Sequence, residues 1–174
     1  MKKVFKIFLG IILVIGIIIA GLSIANSLVV SHLNEYIDTF AKVEIEDQLI
    51  PEYDENGEAY FTTDEDFKIM QLTDVHLGGS ILSITKDKSA MNAIAAMINA
   101  EKPDLVVVTG DISYAVPWAL TLNNGHAHNM FIRFMENLGV YWTVTFGNHD
   151  AEPYDYYNRS DIAGFYEDEE LKYC

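Results

Sequence analysis

An α/β fold, with a parallel β-α-β-α-β core behind one N-terminal transmembrane helix, is the architecture this sequence predicts. Three observations carry it. An uncharged run reaches from Ile7 to Ser31, behind Lys2, Lys3 and Lys6. Further on, three short apolar runs alternate with two segments of helical spacing, and each apolar run ends in a polar cluster.

The N-terminal run is long enough to cross a hydrocarbon core about 30 Å thick, which takes roughly 20 apolar residues as helix. The lysines before it favour the cytoplasmic side, so the rest of the chain is expected outside the cell, on a single-pass anchor in the cell membrane. A cleavable signal peptide competes, with Leu22-Ser-Ile-Ala25 as a small-residue site; an apolar signal core spans only about 7–15 residues, which favours an uncleaved anchor over residues 1–31. Residues 32–66 read as an acidic juxtamembrane spacer. His32 to Lys42 can continue as helix with Leu33, Tyr36, Ile37 and Phe40 on one face. Asn56-Gly57 reads as a hairpin turn between Val43–Ile50 and Glu58–Thr62.

The organised domain is expected over 67–174. Phe67 to Leu72 reads as a strand that ends at Thr73-Asp74. From Asp87 to Ala100, Met91, Ile94, Ala95 and Ile98 follow helical spacing, and Lys102-Pro103 stops the helix. Leu105-Val-Val-Val108 has the composition of a strand buried on both faces. Phe131, Phe134, Met135 and Leu138 mark a second helix closed by Gly139, and Val140 to Phe146 a third strand. Strands alternating with helices imply a parallel sheet.

Composition removes some functions. The formal net charge is −15; with no basic patch to neutralise phosphates, nucleic acid is not expected as a partner. The single cysteine, Cys174, excludes an internal disulfide and any paired-cysteine metal or redox motif. A phosphate-bearing substrate would meet a repulsive average field, which a bound cation would offset.

The chemistry is concentrated at the strand ends: Asp74-Val75-His76, then Gly110-Asp111, then Gly147-Asn148-His149-Asp150. In a parallel sheet the carboxyl ends share one edge, where ligands bind. Carboxylate, imidazole and amide oxygen together suit a divalent transition metal, and paired ions support displacement at phosphorus.

These three clusters, in this order, resemble those of the calcineurin-like metallophosphoesterases, over roughly residues 67–170. The resemblance implies the first half of a two-sheet αββα sandwich and metal-dependent hydrolysis of phosphate esters. It implies two divalent ions (manganese, iron or zinc), with Asp74 and His76 holding one, Asp111 bridging and Asn148 holding the second. It makes Asn148 and His149 substrate contacts and His149 the catalytic acid, oriented by Asp150. The family completes its site with further histidines downstream, among them a Gly-His-x-His motif. No histidine follows His149 here, so an incomplete domain with weak or no catalysis of its own is expected. The alternative is a non-catalytic, membrane-tethered module that binds metal or a partner.

Three further stretches invite reading. Gly125-His126-Ala127-His128 spells the missing motif on the wrong side of His149; it is expected at the start of a helix, solvated, with metal content independent of both histidines. Gly110-Asp-Ile-Ser-Tyr114 resembles the tyrosine signature of purple acid phosphatases, but His76 fills the position that would need Tyr114 as a ligand. Tyr154, Tyr156, Tyr157, Phe165 and Tyr166 are expected to pack a loop onto the core, with Trp118 and Trp142 in it. Arg159 can pair with a phosphate or with a surface carboxylate.

Overall fold

The computed structural model describes residues 2–114, 123–168 and 170–174; Trp118 lies outside them. Helix α1 (Lys2–Ile37) runs unbroken for 36 residues, about 54 Å at the usual 1.5 Å rise. Its side chains from Val4 to Ile19 stand exposed. Among the described residues it is the one helix long and apolar enough to cross a membrane.

The far end of α1 belongs to the domain. Leu33 and Ile37 are fully buried, and Val43 is 1% exposed. The Phe40 ring meets Phe134 edge-on at 5.1 Å. Arg133 grips Asp38 with two bonds, 2.7 and 2.6 Å, and Val43 N–H donates to Leu138 O at 2.9 Å. The start of the expected solvated spacer is thus core: its apolar face had a partner in the second predicted helix. The hairpin is real but short and shifted. β1 (Glu52–Tyr53) pairs antiparallel with β2 (Ala59–Tyr60), and Asp54 caps the turn by accepting from Asn56 N and Glu58 N, both at 2.8 Å.

Beyond the hairpin the chain follows the predicted alternation: β3 (Ile69–Leu72), α2 (Ile84–Glu101), β4 (Leu105–Val108), α3 (Asn124–Leu138), β5 (Trp142–Val144) and a short α4 (Arg159–Tyr166). The sheet order is β3-β4-β5, parallel throughout. α2 ends at Lys102 and α3 at Gly139, both in left-handed conformation, which closes a helix by returning amides to its last carbonyls. α4 opens with a capping box between Asn158 and Asp161.

Helices cover one face of this sheet. Leu72, Val106, Val108 and Trp142 point into a core shared with Leu33 and Ile37 of α1, Met91 and Ile98 of α2, and Phe131 and Phe134 of α3. The opposite face carries Ile69, exposed at 57%, exposed Gln71 and Thr143, and half-buried Val107. Burial of β4 on both faces is therefore not what forms. Consecutive valines satisfy either geometry, and only the packing of neighbours decides between them.

Candidate metal centre

The carboxyl edge of the sheet is assembled from three loops that stay hydrogen-bonded past the strands. His76 N–H donates to Asp111 O at 3.0 Å and Leu77 N–H to Ile112 O at 2.8 Å. Asp74, His76 and Asp111 have φ of 54°, 52° and 55°, left-handed values that are uncommon outside glycine and that Asp and His adopt more readily than other side chains. Two glycines let the second and third loops touch. A Cβ on Gly110 would strike the backbone of Gly147, and one on Gly147 would strike the Asp111 carboxylate.

Within this frame His76, Asp111 and His149 bring ligand atoms within 4.8 Å of one another. Asp74 Oδ1 lies 3.7 Å from His76 Nε2, and Asp111 Oδ2 lies 3.9 Å from it. Asp111 is the most sheltered of the group, with its side chain 14% exposed, while Asp74 stands 58% exposed. The other oxygen of Asp111 accepts from His149 N–H at 2.8 Å, leaving Oδ2 for the cluster. Two imidazoles and a carboxylate converging this closely are a donor set that fits a divalent transition metal. Asn148 sits exposed in the same turn.

Asp150 is placed otherwise than as a partner of the His149 ring. It is fully buried and accepts from three backbone amides: Asp111 N and Gly147 N at 2.8 Å, and Ser113 N at 3.1 Å. It ties the second loop to the third. The ring of His149 pairs through Nδ1 with Glu152 Oε1 at 2.9 Å, a residue that sequence reading passed over. Its only signal was an acid three positions along in a tight turn. Asp155, packed beside Glu152, is pushed up to about 6 by burial, with the Glu152 charge adding to the shift.

Behind Asp150 lies the Gly-His-x-His stretch. Asn124 Nδ2 donates to Asp150 O at 2.8 Å and to Tyr157 O at 2.9 Å. His128 is fully buried, with Nδ1 2.6 Å from the Tyr166 hydroxyl and Nε2 3.6 Å from Asp150 Oδ1. Burial pushes the His128 imidazole below its ordinary range, with the Asp150 charge opposing. His126 is half-buried, near Asn123 Nδ2 at 3.1 Å. The expected solvated first turn is therefore a buried prop. The helix starts where predicted, but His128 faces the interior and finds polar partners there.

The remaining candidates flank the site. The Tyr114 ring lies 4.9 Å from that of His76 and 4.8 Å from that of His149. Arg159 donates to Gly147 O at 2.8 Å and lies over Phe146, so it braces the third loop. Tyr157 meets Phe165 edge-on at 5.2 Å and Tyr166 packs on Trp142 at 5.8 Å, as expected of a loop held to the core. Tyr154 and Tyr156 are exposed.

A parallel sheet with histidine and aspartate gathered at its carboxyl edge defines the class of α/β domains with a candidate metal centre. The comparison with protein families narrows it: the model for calcineurin-like phosphoesterases matches residues 67–173, and the chain belongs to that family. Among curated proteins, it is 30% identical over 105 residues to probable inactive purple acid phosphatase 14 of Arabidopsis thaliana, covering 53% of this chain and 25% of the relative. It is 29% identical over 108 residues to probable inactive purple acid phosphatase 28 of the same plant, covering 44% and 27%. The chain thus spans about a quarter of the length of these relatives. No solved structure gives a significant match.

Proposed function

We propose that residues 67–174 form the front half of a two-metal phosphoesterase, held outside the cell membrane by α1. The convergence of His76, Asp111 and His149 carries this reading. Asp74 and His76 would hold one divalent ion (manganese, iron or zinc), Asp111 Oδ2 would lie between two, and Asn148 would serve the second. Bound cations would neutralise phosphate charge and polarise the ester. His149 would contact the phosphate; Glu152, 2.9 Å from Nδ1, fixes the ring and leaves Nε2 as the nitrogen that would give a proton to the departing oxygen. Asp150 acts as a positioning residue, through the amides of Asp111 and Gly147. The placement outside the membrane rests on the three lysines before the apolar run.

The test is metal content after dialysis together with hydrolysis of p-nitrophenyl phosphate. We expect about one or two ions per chain, as a dinuclear site allows, with most of the metal lost in Asp111→Ala. Wild-type protein that retains no metal overturns the reading.

The names of the two relatives favour a second reading, since both are called inactive: a membrane-tethered metal-binding module without turnover. Retained metal with no hydrolysis, unchanged by His149→Ala, selects it.

A further inference from the structure

The orientation of the site relative to α1 narrows the substrate class; this inference rests on the phosphoesterase reading above. Three contacts tie α1 to the segment that follows β3. Asn26 Oδ1 accepts from Ile81 N–H at 3.1 Å, His32 Nε2 lies 3.4 Å from Lys88 Nζ, and the Tyr36 hydroxyl donates to Asn92 at 2.9 Å. The residue offsets are 55, 56 and 56. A constant offset means that α2 runs parallel to α1, side by side, with its N-terminus toward the apolar segment. In a parallel sheet with crossover helices, helix N-termini and strand carboxyl ends share an edge. The edge that carries Asp74, His76, Asp111 and His149 therefore faces down α1.

Length places that edge. From Lys6, the last charge before the apolar run, 20 residues of helix cover about 30 Å and end at Asn26, which matches one hydrocarbon core. Asn26 is 7% exposed and hydrogen-bonded to the Ile81 loop, so that loop lies level with the boundary. Its tip shows Ile81 and Leu82, exposed at 37% and 63%, followed by exposed Lys86. Apolar tips with a lysine behind them suit the region between acyl chains and headgroups. His76 is five residues from Ile81 and so within about 18 Å of it even if the chain were fully extended.

We propose that the site opens onto the membrane surface that holds its own anchor, and that its substrates are phosphate esters carried on lipids of that leaflet. Lateral confinement then replaces the electrostatic attraction that a charge of −15 denies to a free anionic ester.

The test uses the full chain in phosphatidylcholine vesicles containing phosphatidic acid and Mn²⁺. A fluorophore at Leu82→Cys, in a Cys174→Ser background, is compared with one at Lys102→Cys at the far end of α2. Lipids with a quencher near the headgroup should quench the first and spare the second. Released phosphate is compared for phosphatidic acid and soluble p-nitrophenyl phosphate, and the lipid ester should be cleaved at least about ten-fold faster, from effective concentration alone. Equal quenching at the two positions, or faster cleavage of the soluble ester, overturns the inference and leaves the phosphoesterase reading standing. Cleavage of neither ester, with differential quenching intact, removes hydrolysis and the lipid substrate with it.

Discussion

His128, Asp150 and Tyr166 on one side, and His76, Asp111 and His149 on the other, draw on much the same side-chain chemistry and meet opposite surroundings. In the first group the imidazole and carboxylate are both wholly buried, and their polar atoms are used up on backbone amides and on one another. In the second, side-chain exposure runs from 14% at Asp111 to 37% at His76, and the ligand atoms face each other without mutual hydrogen bonds as short as those of the first group. A buried, satisfied cluster holds loops; an open, converging one has donor atoms left over for a ligand. The difference lies in which side of the third loop each residue occupies, a property that the letters Gly-His-x-His do not encode.

The largest expected effect breaks the buried group. Asp150→Ala would orphan three buried amides, a loss on the order of 3–5 kcal/mol at about 1–3 kcal/mol for each unsatisfied donor, seen as a large drop in the denaturation midpoint. If instead stability holds and only catalysis falls, Asp150 belongs with the open group.

Acid should separate the groups next. Because burial lowers the folded pKa of His128 from 6.5, its contribution is full above that value and is lost as pH falls through the folded pKa. The slope is at most about 1.4 kcal/mol per pH unit for one proton. Asp155, raised to about 6, acts oppositely: its contribution is present below the ordinary 3.8 and is lost as pH rises through 6. Comparing the stability of wild type and His128→Leu from pH 7 to pH 5 isolates the histidine. We expect the variant to be less stable at pH 7 by about 1–3 kcal/mol, for the polar partners left behind, and to lose less on acidification. Equal slopes would mean that His128 is not held neutral.

The smallest effect is expected at His126, whose ring is half outside the fold. His126→Ala should leave metal content unchanged and move stability by no more than about 0.5 kcal/mol. A lost ion would extend the open group to the helix start.

Much of the scaffold could be read before folding. The alternation of β3, α2, β4, α3 and β5 follows from β-branched runs and helical spacing, which are local signals. That His76, Asp111 and His149 share one edge follows from parallel topology. What sequence hides is which neighbour packs where. Three valines in β4 do not reveal that, among the described residues, helices cover only one sheet face. Asp150 adjoins His149 in the chain, yet its carboxylate turns to backbone while Glu152 takes the ring. Leu33, Ile37 and Val43 looked like the edge of a spacer because their partners on α3 lie some hundred residues away.

The left-handed backbone at Asp74, His76 and Asp111 has a consequence for how this domain trades one property against another. Each position holds a side chain where glycine would sit relaxed, at a strain on the order of 1–3 kcal/mol. The site is therefore a place where the protein is less robust to heat than its own backbone would permit. Substituting glycine at Asp74 or His76 would return part of that strain while deleting a proposed ligand atom, so thermal resistance and the proposed metal binding would pull in opposite directions at these residues.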